Sequence, residues 1–200
     1  MNMNSTSMSR PDLGPVSVPD GQVGAWRVET FQVSEDEAKW HNMRCDLKRQ
    51  RLFRIQPGTY RRLVHENGLL MMSNTPMEVW TNREALRRAT GRVLINGLGL
   101  GMLLEAMLAK PDVTYVRVIE KEADVIALVG PQFAHDPRVE IVLADALDYR
   151  PARGERFDFV WHDIWPDVSS DNLPQMTQLA RRYGQRTKAQ GFWAWDLIGL

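Results

Sequence analysis

The residues best suited to chemistry follow four apolar segments in the second half of the chain. Arg92-Val93-Leu94-Ile95 runs into Asn96-Gly97-Leu98-Gly99-Leu100-Gly101 and then an apolar-periodic stretch, the order of strand, glycine turn and helix. Glycine lets the backbone approach a ligand closely, and a helix amino end favours polar or anionic groups. Taken alone, the segment reads equally as a tight turn in which glycine supplies positive φ. Glu120 ends the next apolar run, 19 residues after Gly101, where a carboxylate can accept both hydroxyl hydrogens of a ribose. After the third run, Ala144-Asp145-Ala146 offers an acid and a neighbouring backbone amide to the exocyclic amine and ring nitrogen of adenine. Together they point to a nucleoside-bearing cofactor, with Asn96, Gly97, Leu98, Gly99, Gly101, Glu120, Lys121, Asp145 and Ala146 as candidate ligands.

The fourth segment, Phe157-Asp158-Phe159-Val160-Trp161-His162-Asp163-Ile164-Trp165-Pro166-Asp167, is the most unusual. Ligands of doubly wound sheets sit beyond the carboxyl ends of the strands, so Asp163 and Trp165 are expected beside the reacting atoms. Asp163 could contact the cofactor, bind a protonated amine or serve as general base, and Trp161 and Trp165 could wall the pocket. The other reading has Asp163 capping a loop and the tryptophans filling core. Strand alternation points His162 and Asp163 to opposite faces, so a His-Asp dyad is not expected. No second histidine or cysteine stands at metal-ligand spacing, and no metal is expected.

A nicotinamide or flavin fingerprint needs G-x-G-x-x-G, but here the third glycine comes one residue early and Met102 takes its place; Gly-Lys-Ser and Gly-Lys-Thr are absent. The pattern G-x-G-x-G, an acid ending the second strand and an Asp after the third resembles class I S-adenosylmethionine-dependent methyltransferases over about residues 91–195. That resemblance implies S-adenosylmethionine as cofactor and methyl transfer as activity. Within the group, the chain is similar to spermidine synthases and their methyltransferase-like relatives, which place a small β-rich domain before the sheet. Their motif G-G-G-D-G-G aligns with Val93 to Glu105, keeping Gly97, Gly101 and Glu105. Gly99 replaces the acid that helps hold the aminopropyl amine of the decarboxylated cofactor, and in their D-x-x-D-P pattern Asp163 matches the first acid while Pro166 replaces the second. Ordinary S-adenosylmethionine is therefore the expected cofactor; aminopropyl transfer and non-catalytic cofactor binding are the alternatives. The likeness also implies that the stretch from Leu70 to Glu78 passes over the cofactor, offering Ser73, Thr75 and Glu78 to the pocket.

These residues require a particular scaffold. Strands are expected at about 92–96, 114–120, 139–143, 157–163 and 190–195, and helices at about 100–109, 122–130 and 171–187. Such alternation implies an α/β, Rossmann-like, doubly wound and mostly parallel sheet of about five strands over residues 91–200. Residues 23–90 read as a small α+β extension. It has a strand over 25–33, a capping box Ser34-Glu35-Asp36-Glu37, a helical face of Trp40, Met43 and Leu47, and a hairpin around Glu66-Asn67-Gly68. A second capping box, Thr81-Asn82-Arg83-Glu84, is expected to open a helix reaching about Ala89. Residues 1–22 read as a tail.

A chain of 200 residues can bury an enzyme-sized core, and 44% hydrophobic with 25% charged residues is ordinary for a globular protein. No apolar run approaches the roughly 20 residues of a membrane span, no signal-like block opens the chain, and a lone Cys45 suits a reducing compartment, so a cytoplasmic protein is expected. Between Arg44 and Arg62 seven cations face one acid, Asp46. The cluster reads first as a solvated face and second as a site for an anionic substrate, and zero net charge argues against a large nucleic-acid footprint. A small-molecule substrate is expected, with nucleic acid left open. Trp193 and Trp195, on one face of a strand at the sheet edge, suggest a homodimer.

Overall fold

The computed structural model describes residue 13 and residues 16–198. Period-two alternation builds the first layer: in β2 (Trp26–Val33) Trp26 and Val28 are buried while Arg27 between them faces outward. With β1 (Gly21–Val23), β3 (Gly58–His65) and β4 (Leu70–Ser73) it makes a four-stranded antiparallel sheet in sequence order. β3 and β4 form the expected hairpin, closed by the His65 amide donating to Leu69 O at 2.9 Å. Between β2 and β3 lies α1 (Glu35–Leu47), opened by the expected capping box, with Ser34 and Glu37 bonded reciprocally. Its Trp40, Met43 and Leu47 are exposed.

Two expectations change in this half. Of the tail assigned to 1–22, residues 1–12, 14 and 15 lie outside the described residues; the remainder packs, with Val16 and Val18 buried and Gly21–Val23 in the sheet. Ser17 bonds Glu105, tying this segment to the parallel-sheet half. The second capping box is interior to a longer helix, α2 (Pro76–Arg88), which starts after Thr75 with proline at its first turn. Thr81 instead turns its hydroxyl back onto Glu78 O at 3.0 Å.

The second half alternates as the periodicity requires: β5 (Gly91–Asn96), α3 (Met102–Leu108), β6 (Val113–Glu120), α4 (Ala123–Val129), β7 (Val139–Leu143), β8 (Phe157–His162), α5 (Leu173–Tyr183) and β9 (Thr187–Phe192). The strands pair in parallel in the order β7-β6-β5-β8-β9, so the winding reverses at β5 and opens a crevice beyond its carboxyl end. Both faces of β5 are covered. Val93 and Ile95 join a core with Leu103, Leu104 and the antiparallel sheet's Trp26 and Leu63, whereas Leu94 packs with Val160, Leu179 and Tyr183 on the α5 side.

The last strand ends earlier than expected, at Phe192, because Ala194 takes a left-handed conformation (φ 52°) and turns the chain into a short 3-10 segment, Trp195–Leu197. Trp193 and Trp195 therefore share no strand face: Trp193 is buried and Trp195 half exposed. Among the described residues no helix is long and apolar enough to cross a membrane.

Candidate functional site

The loop after β5 is shaped by close approaches within the protein. Gly97, at φ +100°, lies so near the Asp163 carbonyl that a Cβ would collide with it; Gly99, at φ +52°, is capped by the Met72 sulfur. The loop amides are also engaged: Gly97 N donates to Ile119 O (2.8 Å), Leu98 N to Glu120 Oε2 (2.9 Å) and Leu100 N to Met72 Sδ (3.3 Å). Gly101 faces the Phe133 ring and does not reach the crevice. Asn96 is fully buried, its Nδ2 donating to His162 Nδ1 at 2.7 Å. Both were expected among the cofactor ligands; the structure gives them packing and orienting contacts instead.

The other candidates converge. A cavity of about 480 Å³ beyond the strand ends is walled by Gly97, Leu98, Gly99, Glu120, Lys121, Asp145, Ala146, Asp163, Trp165 and Glu78. Parallel winding explains the gathering, since every parallel strand delivers its last residue to the same sheet edge. Glu120 is almost buried and accepts the Leu98 and Glu122 amides, both at 2.9 Å. A carboxylate has about four acceptor positions, so two remain. Asp145 is exposed and accepts the Leu147 amide at 2.7 Å, which holds the Ala146 peptide at the rim. Trp165 is buried and donates to Gln175 Oε1 at 2.7 Å. Trp161 lies in the core, stacked on Phe159, and not in the wall.

Opposite the nucleoside-type acids stand two more. Asp163 follows β8, its amide donating to Asn96 O at 2.9 Å, and is half-buried at the cavity wall. Burial holds its carboxyl well above the usual range, the neighbouring Glu78 charge adds to this, and a hydrogen bond from Asn82 opposes it. Glu78, from the first turn of α2, is 7% exposed, and burial pushes it up to about 7 against the bonds from Trp193 (Nε1, 3.2 Å) and Thr81. Among the described residues no lysine or arginine pairs with either acid. Two adjoining buried carboxyls cannot both be charged cheaply, so this wall holds a proton or attracts a cation.

His162 points away from Asp163, as alternation requires. It lies buried between Asn96 and Gln190 (3.2 Å) and against Phe192, and burial lowers it to about 4, so it is neutral, with Nδ1 accepting and Nε2 donating. Ser73, bonded to Thr75 at 2.9 Å, lines an adjoining cavity that shares Met72, Glu78 and Trp193 with the first. Sequence reasoning missed Trp193 and Asn82 as partners of the acid pair. A tryptophan just past the last strand was the only signal for the first, and nothing local marked the second.

No family model and no curated protein matches the sequence. Among solved structures, the chain resembles spermidine synthase from Thermotoga maritima (21% identity, TM-score 0.48, 82% of this chain and 52% of that one). It also resembles N-methyltransferase NodS from Bradyrhizobium japonicum (16%, 0.42, 56% and 67%) and the 23S rRNA methyltransferase ErmE (17%, 0.44, 56% and 45%). The likeness is one of fold alone, the Rossmann-like α/β type. The chain spans about half the length of the spermidine synthase it resembles.

Proposed function

We propose that the protein is an S-adenosylmethionine-dependent methyltransferase. The observation that carries this reading is the placement of acids around one cavity: Glu120 and Asp145 after β6 and β7, and the uncompensated Glu78–Asp163 pair facing them. The site fits the cofactor chemically. Glu120, with two acceptor positions left, would hold the ribose hydroxyls, the Asp145 rim with the Ala146 amide the adenine edge, and the buried acids would favour a cationic sulfonium. When bound, the cofactor supplies a methyl whose bond to sulfur breaks, the electrons staying on sulfur, as a nucleophile's lone pair takes the carbon.

The protein's own part is to bind, to exclude water and to manage one proton. Trp165, Ile164 and Leu98 keep the wall apolar. A carboxyl held near neutrality suits a general base, so Glu78 with Asp163 takes the proton that the nucleophile gives up, Asp163 being the candidate catalytic residue. Aminopropyl transfer is disfavoured at Gly99, where an acidic side chain is absent and would have to displace the Met72 sulfur. Calorimetry with S-adenosylmethionine, its demethylated product and the decarboxylated form tests the reading. Binding of the first is expected; preference for the decarboxylated form would select aminopropyl transfer, and no binding of any would sink both.

A further inference from the structure

The adjoining cavity, about 870 Å³, lies within the size range of small-molecule sites, and its lining carries both signs of charge. It shares Glu78, Asp167, Met72 and Trp193 with the first cavity. Lys48, Arg49, Arg51, Arg54 and Arg62, five of the seven cations between Arg44 and Arg62, also line it. Lys48, Arg49, Arg51 and Arg54 are exposed, as a solvated face requires, and they also line a concavity. Arg62 is neutralised by Glu29 at 2.6 Å and Arg54 faces Asp46 at 3.7 Å, whereas Lys48, Arg49 and Arg51 make no ion pair among the described residues.

Backbone conformation adds a second observation. The chain leaves α1 through Lys48 into Arg49, which sits at φ 57°, in the left-handed region where helix ends usually carry glycine. An arginine adopts that conformation only against backbone strain. Three backbone bonds hold the bend, from Lys48 N to Arg44 O (3.1 Å), Arg49 N to Asp46 O (3.0 Å) and Gln50 N to Cys45 O (2.7 Å). The bend carries the chain from the helix into the wall that Arg51 and Arg54 share.

We infer that this cavity receives the methyl acceptor, and that the acceptor is a small anion. A carboxylate or phosphate on it lies against Lys48, Arg49 and Arg51, and an amine or hydroxyl on the same molecule reaches Glu78, which the two cavities share. Phe53 and Met71 add apolar wall. Guanidinium groups suit both anions, which they bind in bidentate fashion. A nucleic-acid strand fits less well, because zero net charge offers no extended basic footprint and these cations line a hollow. The nucleophilic end of the inference rests on the transferase reading; the anion end does not.

The test titrates inorganic pyrophosphate and, separately, citrate into the protein by calorimetry. One-to-one binding of at least one anion is expected, and the tighter of the two identifies phosphate or carboxylate as the recognised group. R49G/R51Q should bind it at least tenfold more weakly while melting no lower than the parent, because glycine relieves position 49. Equal affinity of parent and variant, or no binding of either anion, overturns the inference, as does a single-stranded oligonucleotide that pyrophosphate cannot displace. Should the double variant fail to fold, R51E alone decides by the same tenfold criterion. S-adenosylmethionine titrated into the same samples separates the two readings: anion binding without cofactor binding would remove the transferase and leave the anion site standing.

Discussion

Glu78 and Asp163, 85 positions apart in the chain, meet as carboxyls in the wall of one cavity, with Asn82 and Trp193 as their polar neighbours and no cation among the described residues to neutralise them. The relationship couples stability, cofactor charge and proton transfer, and each can be measured.

Stability should depend on pH through Glu78. Its folded carboxyl lies near 7 against an ordinary 4.5, so the folded protein binds more protons between these values. This contribution is fully present below about 4.5 and lost as pH rises through 7, by on the order of 3 kcal/mol. His162, lowered to about 4, acts in the opposite sense between 4 and 6.5, so the comparison must be differential. Relative to the parent, Glu78→Gln should gain stability from pH 5 to 8 in urea titrations. A constant difference would show that Glu78 is not protonated in the fold.

The same pair should discriminate charge in the ligand. As pH rises from 6 to 8 the wall becomes more anionic, and preference for cationic S-adenosylmethionine over its neutral demethylated product should grow several-fold. Glu78→Gln should flatten that dependence. Calorimetry at both pH values measures it, and parallel affinities for the two ligands would refute it.

Glu120 joins two loops through the Leu98 and Glu122 amides. Glu120→Ala should cost about 2–4 kcal/mol, since hydrogen bonds to a charged group contribute roughly 1.5–3 kcal/mol each and only part is recovered by water. Nucleoside affinity should fall further than stability explains. Retained cofactor binding in a folded Glu120→Ala protein would place the ribose elsewhere.

Gly97→Ala should destabilise by on the order of 3 kcal/mol or more, because the methyl meets the Asp163 carbonyl at a φ unsuited to alanine. Gly99→Asp, which restores the acid of the spermidine synthase pattern, must displace Met72 and should destabilise without conferring binding of the decarboxylated cofactor. A stable Gly99→Asp protein that binds it would revive the aminopropyl alternative.

Much of this architecture is local and therefore legible in the chain. Positive φ at Gly97 and Gly99 follows from residue type, and strand-helix alternation implies parallel pairing. Parallel pairing in turn puts the residues after each strand, Glu120, Asp145 and Asp163, at one edge. Boundaries were less secure: a matching capping box at Thr81 hid the true start at Pro76, and Ala194 ended β9 before the tryptophans.

What folding alone decided is which distant groups share a space. Helix α2 carries Glu78 to Asp163 because its buried residues Ala85 and Leu86 pack in the same core as β5, and the turn at Ala194 swings Trp193 onto Glu78. The bend at Arg49 sends cations that read as a solvated run into a cavity wall. Residue type and spacing determine backbone conformation and strand order through short-range sterics and hydrogen bonding. Burial, and with it the proton affinity of a carboxyl, is a property of the packed whole, so the chain could offer Glu78 and Asp163 singly as candidates but not their coupling.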